Sequence, residues 1–579
     1  VHSPIRLLDC DVEEPDAHLF VRPCFTRTAT VEVLKPVWHE DLCTGCGECG
    51  KACLYNAIAV VKGKVLMFPE LCHACGVCSY VCPEDAITEK SASIGRVELD
   101  ERRPEFTFGH GVLNIGEALA PAVVEEVKKH ALPDGLTIID AAPGTACPVV
   151  AAVNGADVAI LVTEPTPFGL NDLRLALGLS LEMGVPSAIV VNRSDGTDAL
   201  IQEYADEVGV PVIGRIPFRR EYAETYSRGD LLVDRHPELR ALLLDIYARV
   251  CEVAAGPAQP PPRAEAPMRA TARTAAASAA VPGAHRDMTV ISGKGGTGKT
   301  IVTASLAALL DGKVLADCDV DAADLHLLLK PHVQEVEDFV GGRKALILPD
   351  QCTGCGHCAD LCHFDAIKPE GFDDQGKPTT YRIDDFACEG CGLCGYVCPV
   401  GAVEVSEAIT GQCYISETEC GPFAHAKLGI AEENTGRLVT HVRDRAAELT
   451  AVDGADRIVA DGSPGTGCPV IASVAGVHLA LIVTEPTVSG VHDLVRVLQL
   501  TQHFGVRALI CINKCDLNPD QAERIRAIGR KMDAPVIGEI PFDEEVNQTL
   551  QDGQILVNAG TGAAARALRS LAEILKHEL

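Results

Sequence analysis

The residues best suited to chemistry lie in the stretch Gly293 to Thr300, which reads Gly-Lys-Gly-Gly-Thr-Gly-Lys-Thr. It separates the apolar run Met288 to Ile291 from the helical run Ile301 to Leu310. A glycine loop between a strand and a helix points backbone N–H groups at phosphates, while Lys299 neutralises their charge and the Thr300 hydroxyl holds Mg²⁺. The stretch therefore predicts a nucleotide site. Its other predicted ligand-binding residues are Gly293, Gly295, Gly296, Thr297 and Gly298.

Sixteen of the 26 cysteines form four runs with the spacing C-x2-C-x2-C-x3-C. This is the spacing of bacterial two-cluster ferredoxins, in which three thiolates of a run hold one [4Fe–4S] cluster and the fourth crosses to its neighbour. Zinc is the alternative metal, although zinc sites rarely use this spacing. A disulfide framework fits less well, because nothing in the sequence resembles an export signal.

The crossing rule predicts four ligand sets and therefore four [4Fe–4S] clusters. The sets are Cys43, Cys46, Cys49 and Cys82; Cys53, Cys72, Cys75 and Cys78; Cys352, Cys355, Cys358 and Cys398; and Cys362, Cys388, Cys391 and Cys394. Tight turns that contain glycine let backbone N–H groups approach the sulfur atoms. Leu54 and His363 follow two of the crossing cysteines, where proline follows the other two. This departure removes no ligand.

The formal net charge of the 579-residue chain is -31, and 47% of its residues are hydrophobic. This length and composition predict a globular protein of two or more domains. The negative charge argues against non-specific binding to nucleic acid or to anionic membranes, both of which need a basic surface. No apolar run is long enough to predict a membrane span, and residues 1–16 lack the basic and apolar regions of an export signal. We expect a cytoplasmic location.

Two parts of the chain repeat the same motifs in the same order. The repeated motifs are LDCDV and ADCDV (8–12 and 316–320), DAAPGTACP and DGSPGTGCP (140–148 and 461–469), TEPT (163–166 and 484–487), and IPF (216–218 and 540–542). Internal duplication of a whole domain is the interpretation. Residues 254–287 lie between the copies, and their richness in Ala, Pro and Arg predicts a flexible linker.

Short apolar runs alternate with helical stretches in each copy. Continuous apolar strands separated by helices predict a parallel sheet covered on both faces. The predicted fold class is α/β, with two P-loop NTPase-type parallel sheets flanked by helices and an inserted α+β bacterial-ferredoxin-like domain in each. The predicted domains are a first half (1–253) with an insert (36–92), the linker (254–287), and a second half (288–579) with an insert (345–407).

Taken together, these segments resemble the MinD/ParA superfamily of P-loop ATPases with an inserted two-cluster ferredoxin domain, here as two copies in tandem. Lys294 resembles the additional loop lysine of that group, which suits a nucleotide shared with a facing subunit; a solvated loop charge is the alternative. The resemblance implies catalytic roles for Lys294, Lys299, Asp319 and Asp461. In that group Asp319 would orient the attacking water, and Asp461 would lie near Mg²⁺. Asp317 either belongs to this site or caps the end of a strand.

The identity of the nucleotide base rests on a second motif. Residues Asn513 to Asp516 fit the N-K-x-D pattern with which GTPases read guanine. The family resemblance instead implies MgATP, with Asn513 contacting adenine and the segment from Pro541 to Asp543 lining the base. We expect ATP and keep GTP as the alternative.

The first copy contains no counterpart of the glycine loop, which by comparison with the second copy would precede residue 1. In this fold the loop follows a strand inside the sheet, so its loss leaves neighbouring strands with unpaired backbone groups. We expect the natural chain to start upstream of Val1, so that two nucleotides lie between the halves. The alternative is a degenerate first copy that pairs with the second without hydrolysing nucleotide.

Two further cysteines and the last helix leave alternatives open. Cys147 and Cys468 each follow an aspartate of the repeated motif by seven residues. This resembles the spacing of a cluster ligand in nitrogenase iron proteins, so a bridging cluster and buried inert thiols are both considered. Residues 563–579 carry one apolar helical stripe diluted by acidic residues, which predicts a helix that packs on the protein rather than on a membrane.

These features predict an ATPase with four [4Fe–4S] clusters in which nucleotide binding closes the two halves and couples hydrolysis to low-potential electron transfer. An ATP-governed carrier or scaffold for metal-cluster assembly is the first alternative. A spatial organiser like MinD or ParA with purely structural clusters is the second. The expected partners are the two halves for each other and a redox or cluster-accepting protein, with no nucleic acid and no membrane.

Overall fold

The structure of the protein is a computed structural model that describes residues 4–196, 198–256, 259, 285–429, 432 and 435–579. Most of the predicted linker lies outside the described residues, as does Val1. Helices and strands alternate along both halves, and the repeated motifs fall at the same places in each half.

The first half contains ten strands and ten helices among its described residues. The strands are β1 (Ile5–Asp9), β2 (Arg27–Trp38), β3 (Ile58–Val61), β4 (Lys64–Met67), β5 (Ile87–Asp100), β6 (Phe106–Leu113), β7 (Leu136–Asp140), β8 (Ala159–Thr163), β9 (Ser187–Ser194) and β10 (Val212–Pro217). The helices are α1 (Ala17–Val21), α2 (Glu48–Ala52), α3 (Val77–Tyr80), α4 (Ala120–Lys128), α5 (Cys147–Val153), α6 (Pro167–Glu182), α7 (Ala199–Val208), α8 (Arg220–Ser227), α9 (Leu232–Arg235) and α10 (Pro237–Ala254).

The second half contains eleven strands and eleven helices in the part that the structure describes. The strands are β11 (Arg286–Ser292), β12 (Lys313–Asp317), β13 (His332–Ile347), β14 (Ile367–Phe372), β15 (Pro378–Ile383), β16 (Val403–Thr418), β17 (Gly421–Leu428), β18 (Arg457–Pro464), β19 (Leu479–Thr484), β20 (Arg507–Asn513) and β21 (Val536–Ile540). The helices are α11 (Lys299–Leu309), α12 (Leu325–Leu329), α13 (His357–Asp360), α14 (Leu393–Val397), α15 (Thr435–Asp453), α16 (Cys468–Val474), α17 (Val488–His503), α18 (Pro519–Lys531), α19 (Glu545–Gln551), α20 (Leu556–Ala559) and α21 (Ala563–Glu578).

The second half is built on one sheet of nine strands, in the order β13-β16-β17-β12-β18-β11-β19-β20-β21. All pairs from β17 to β21 are parallel, and the long strands β13 and β16 are antiparallel at one edge. Strand β11 lies between β18 and β19, and Met288 pairs with Val459 on one side and Leu479 on the other. These three residues are buried, as continuous apolar strands covered on both faces require. The α/β fold predicted from the sequence is confirmed.

The strands of the first half form two separate sheets, β2-β5-β6-β1-β7 and β10-β9-β8. Among the described residues, no strand lies between β7 and β8, the position that β11 holds in the second half. Ile138, Ile160 and Val162 are 47%, 46% and 63% exposed. The residues at the same positions of the second half, Val459, Leu481 and Val483, are completely buried. The facing edges of β7 and β8 are therefore apolar and unpaired within the described chain.

Each cysteine-rich insert is carried by a long antiparallel ribbon, β2 with β5 and β13 with β16. The same strands continue into the main sheet of their half, so the predicted insert boundaries, 36–92 and 345–407, fall inside strands. The reason is that pairing from Arg27 to Trp38 and from His332 to Ile347 continues with only local bulges. The inserts are therefore extensions of the sheet edges and are held firmly by backbone hydrogen bonds.

The last helix, α21, packs inward against the nine-stranded sheet. Leu568, Leu571 and Leu575 are buried in the same core as Met288 and Leu306. The predicted packing role of this segment is confirmed. Among the described residues, no helix is both long enough and apolar enough to cross a membrane.

Replacing Leu571 by alanine is expected to destabilise the second half by about 2–5 kcal/mol, because the change leaves a cavity in the core. Ile574 lies at the border of the buried face of α21 and is 40% exposed, so Ile574→Ala serves as the matched control and should cost less. The measurement is the thermal midpoint of the anaerobic protein followed by circular dichroism. Equal losses for both variants would contradict the inward packing of α21.

Candidate functional site

The glycine loop joins β11 to α11 at the centre of the nine-stranded sheet. Gly296 and Gly298 have φ values of 76° and 90°, in the left-handed region that favours glycine. A Cβ atom on Gly298 would lie 2.5 Å from Nδ2 of Asn513, so a side chain there would collide with the end of β20. All eight residues of the loop line one cavity. The first N–H groups of α11 therefore face a space that suits phosphate.

Lys299 begins α11 and is buried, with its Nζ atom 2.9 Å from Oδ2 of Asp461 and 3.3 Å from Oδ2 of Asp319. Asp461 also accepts hydrogen bonds from Thr300 Oγ1 at 2.8 Å and from Thr303 Oγ1 at 2.7 Å. The structure thus brings four of the predicted residues together. Sequence reasoning missed Thr303, although its place one helical turn after Lys299 could have identified it.

Burial and neighbouring charges shift the pKa values of Lys299 and Asp319 in opposite directions. Burial disfavours the charged form of Lys299, but the carboxylates of Asp461 and Asp319 raise its pKa above the ordinary value. Burial raises the pKa of Asp319 to about 6, and Lys299 opposes that shift. Hydroxyl and carboxylate oxygens such as those of Thr300 and Asp461 are ligands that suit Mg²⁺. These residues therefore fit MgATP as a bound substrate.

Asp317 acts on the backbone rather than on the cavity. Its buried carboxylate accepts hydrogen bonds from the N–H groups of Asp319 at 3.1 Å and Leu325 at 3.3 Å. In the first half, Asp9 accepts in the same way from the N–H groups of Asp11 and Ala17. Asp317 therefore shapes the loop that holds Asp319, which favours the capping alternative.

The segment predicted to read the base is already engaged by protein groups. Asn513 donates from Nδ2 to the carbonyl oxygen of Thr297 at 2.7 Å. Asp516 accepts the backbone N–H of Phe542 at Oδ1, at 2.7 Å, and its Oδ2 accepts from Nη2 of Arg220 at 3.0 Å. Arg220 belongs to the first half, so both halves shape this side of the cavity.

A single cavity of about 3310 Å³ runs from the glycine loop to the open edges of β7 and β8. Pro541 lines it near the loop, and Ile138 and Val162 line it at the divided sheet. Its volume is several times that of an ordinary ligand pocket. The nucleotide site and the gap in the first half are therefore parts of one space between the halves.

Lys294 leaves the loop in the direction of the first half and forms an ion pair with Asp16. The charge of Lys294 also lowers the pKa of the carboxyl groups of Asp11 and Asp140, against the effect of burial. Sequence reasoning missed Asp16, although it follows Asp9 as Asp324 follows Asp317. The ion pair with Asp16 raises the pKa of Lys294 against the effect of burial.

In the first insert, the cysteines around Cys49 and Cys78 are those of the predicted groups. Cys49 has Cys43, Cys46 and Cys82 as electrostatic neighbours, and Cys78 has Cys53, Cys72 and Cys75. Backbone N–H groups also approach sulfur, as Ala86 does to Cys82 at 3.3 Å and Ala402 does to Cys398 at 3.2 Å. Sets of thiolates with N–H donors around them are the chemistry that [4Fe–4S] clusters require.

The two inserts meet through equivalent residues. Cys75 and Cys391 hold the same position in their runs, and their side chains are hydrogen-bonded to each other. Around them, Tyr55 donates to the carbonyl oxygen of Glu389 at 2.9 Å, and His73 Nδ1 lies 3.0 Å from the Glu389 carboxylate. The rings of Tyr55 and His73 are stacked, with centroids 3.8 Å apart. The inner cysteine groups of both inserts therefore adjoin across the contact between the halves.

Cys147 and Cys468 begin the equivalent helices α5 and α16. The Sγ atom of Cys468 lies 3.8 Å from the carbonyl oxygen of Ala118. Burial raises the pKa of Cys468 to about 12, with a further contribution from Glu13. A protonated thiol of this kind is a poor metal ligand, which favours an inert Cys468.

Two stretches of the chain match known families. Residues 35–83 match a family described as "4Fe-4S dicluster domain", and residues 336–402 match a second family with the same description. Between them they contain all sixteen predicted ligands. Two dicluster domains correspond to four [4Fe–4S] clusters in this chain.

The chain is also similar to two curated proteins of Methanocaldococcus jannaschii. It is 32% identical to Uncharacterized protein MJ0578 over 293 residues, which are 50% of this chain and 95% of that protein. It is 29% identical to Uncharacterized protein MJ0579 over 274 residues, which are 42% of this chain and 84% of that protein. Neither name records an activity.

Similar solved structures include the cell division ATPase MinD of Pyrococcus furiosus, at 22% identity and a TM-score of 0.30. That match covers 51% of this chain and 99% of the solved one. A ParA family ATPase from Chlorobium tepidum is 17% identical, with a TM-score of 0.29 and coverage of 50% and 98%. Likeness at this level carries no inference about function.

The anaerobically purified chain is expected to contain about 16 iron atoms, four for each cluster. Cys468→Ala should leave this content unchanged, because the thiol is buried and protonated. Cys391→Ala should lower it by about four atoms, since one ligand of a cluster is lost. Iron and acid-labile sulfide are measured on all three proteins. A wild-type content near 20, or a loss of about four atoms in Cys468→Ala, would contradict the assignment.

Proposed function

The chain belongs to the family of Uncharacterized protein MJ0578, and we propose that it hydrolyses ATP to drive closure of its two halves and thereby controls low-potential electron transfer. One observation carries the proposal: the nucleotide loop and the inner cysteine groups both lie at the contact between the halves. Lys294 crosses that contact at one end through Asp16, and Cys75 meets Cys391 at the other. A change at the loop would therefore alter the surroundings of the clusters.

Phosphoryl transfer depends mainly on positioning and on neutralising charge, and the second half supplies groups for both. Lys299 and the N–H groups of α11 would bind the phosphates, while Thr300 and Asp461 would hold Mg²⁺. Asp319 would orient the attacking water. Binding of phosphate would release Lys299 from its two carboxylates and allow Asp319 and Asp461 to serve the metal and the water. The loop after β12 and the segment after β18 would then move with the nucleotide.

We infer that the two halves are copies of one domain and that the first half faces the glycine loop of the second. The repeated motifs support this, as does the stacking of equivalent residues across the contact. Phe218 and Phe542, the last residues of the two IPF motifs, stack with ring centroids 6.4 Å apart. Such pairing of like with like is typical of a two-fold arrangement.

When bound, the four clusters would supply one-electron redox chemistry. The exposure of the cysteine ligands would determine where another protein can exchange electrons with them. Cys46 and Cys355 are the exposed ligands of the outer sets, whereas Cys49 and Cys358 are buried. The inner sets adjoin at Cys75 and Cys391. This arrangement suits entry and exit of electrons at the exposed outer sets, where a redox partner protein would dock.

A carrier that builds or delivers a metal cluster under ATP control is the second candidate. The exposure of Cys46 and Cys355 favours it specifically, because an acceptor protein could reach those ligands. A chelator-trap assay separates the two candidates: rapid ATP-dependent loss of a cluster supports delivery, and retained, reversibly reduced clusters support electron transfer.

MgATP is expected to shift the reduction potential of at least one cluster by about 60 mV or more, the shift that tenfold coupling gives for a one-electron couple. The measurement is an anaerobic redox titration with and without MgATP. Lys299→Met removes the phosphate-binding charge and should abolish the shift. The exposed Lys368→Met is the control and should retain it. Identical potentials and identical electron-transfer rates with and without MgATP would remove the proposed coupling.

MgATP is expected to bind at least about tenfold more tightly than MgGTP, because both carboxylate oxygens of Asp516 already accept hydrogen bonds from protein groups, which would compete with guanine. Arg220→Ala removes the donor to Oδ2 of Asp516 and should reduce the preference for MgATP over MgGTP. Arg219 pairs with Glu238 within the first half, so Arg219→Ala is the matched control and should leave the preference unchanged. The measurement is equilibrium binding of both nucleotides. Tighter binding of MgGTP to the wild type would overturn the assignment to ATP.

A further inference from the structure

A group of histidine and carboxylate side chains lies between the halves, next to Gly293 at the start of the glycine loop. Glu14 comes from the loop after β1 in the first half, and His492 and Asp493 come from α17 in the second half. One potential ligand atom of each lies within 4.8 Å of those of the other two. Side-chain shifts of about 1 Å would bring such atoms to the spacing found around one metal ion.

The two carboxylates of this group are buried without adequate hydrogen bonds. Glu14 is 2% exposed, and neither of its oxygens accepts a hydrogen bond from the described chain. Asp493 is 1% exposed, and its Oδ2 is also without a donor among the described residues. Arg496 approaches Glu14 with Nε at 3.4 Å but forms no hydrogen bond to it through that atom. Burial of carboxylates in this state is costly unless a further cation binds them.

The charges around the group of Glu14, His492 and Asp493 favour binding of a further cation. Lys294 is paired with Asp16, Arg496 is paired with Glu14, and His492 Nδ1 lies 3.0 Å from Oδ1 of Asp493. Glu13 and Asp11 add further negative charge to the surroundings of Glu14. A divalent ion would neutralise this excess in a place that water reaches poorly.

The duplication supplies an internal comparison. Asp172 in α6 holds the position of Asp493, but Asn171 and Ala322 hold the positions of His492 and Glu14. Leu175 likewise replaces Arg496. The equivalent positions of the other pair of segments therefore lack the histidine and one of the two carboxylates. The contact between the halves at the equivalent positions thus forms without a counterpart of Glu14 or His492.

We propose that Glu14, His492 and Asp493 bind one divalent first-row transition ion, which clasps the two halves beside the nucleotide loop. One imidazole and two carboxylates form a mixed nitrogen and oxygen set that suits Zn²⁺, Fe²⁺ or Mn²⁺ better than Ca²⁺ or a thiolate-loving metal. Water would complete the coordination. A Cβ atom on Gly293 would lie 2.5 Å from Cβ of Asp493, so the ion would sit directly behind the first residue of the loop.

The test uses Mn²⁺ as the probe and the full-length chain with its four clusters oxidised, without nucleotide. Unbound Mn²⁺ gives an EPR signal that is lost on binding, so a titration yields stoichiometry and affinity. Glu14→Ala and His492→Asn each install the residue that the other half already carries. Both variants are expected to lose one bound Mn²⁺ per chain, or to bind it about tenfold or more weakly. Zn²⁺ should displace this Mn²⁺ from the wild type.

Asn171→Ala is the matched control at the position equivalent to His492, and it should leave Mn²⁺ binding unchanged. Retention of the cluster absorption shows that each variant is folded, and Glu14→Gln replaces Glu14→Ala if the latter loses its clusters. Equal stoichiometry and affinity in the wild type, Glu14→Gln and His492→Asn would overturn the proposal. The measurement requires neither ATP hydrolysis nor electron transfer, so its result is independent of the proposed function.

Discussion

The buried ion pair between Lys299 and Asp461 is the interaction on which the site depends. A buried ammonium is tolerated only beside carboxylates and hydrogen-bonding groups, and three elements must meet to provide them. Strand β11 carries the glycine loop at its carboxyl end, and β18 lies beside β11 so that Val290 pairs with Asp461. On the other side of β18, Asp317 pairs with Asp461 and holds Asp319 within reach of Lys299. The site is therefore a property of adjacent strands and cannot be separated from the centre of the sheet.

The first half shows what the central strand contributes. Without a strand between β7 and β8 in the described chain, the same sequence pattern forms two sheets, and apolar residues such as Val162 face an open cavity. In the second half, the equivalent Val483 is covered completely. In the second half, β11 pairs with the strands on both of its sides, and α11 covers their apolar residues. One segment of the chain therefore supplies both the strand pairing and the helix packing.

Residues from corresponding motifs of the two halves meet at the contact between them. Equivalent residues meet at Phe218 and Phe542 and again at Cys75 and Cys391, which is the relation expected when two copies face each other across a two-fold axis. The correspondence between the halves is incomplete at Glu14, whose place in the second half is taken by Ala322.

Local motifs with fixed spacing were sufficient to predict the glycine loop, the cysteine groups and the α/β class, because each depends on residues close together in the chain. Partners supplied by distant segments were not predictable in this way. Asp16 as the partner of Lys294, Thr303 beside Asp461 and Arg220 on Asp516 emerge only when strands and halves are brought together. The extension of β13 and β16 through the insert boundary is also a result of pairing rather than of composition. The sequence by itself determined which chemistry the chain carries, since ligand type and spacing are written locally. The tertiary structure decided which groups share a site, because burial and charge act between residues that only folding makes neighbours.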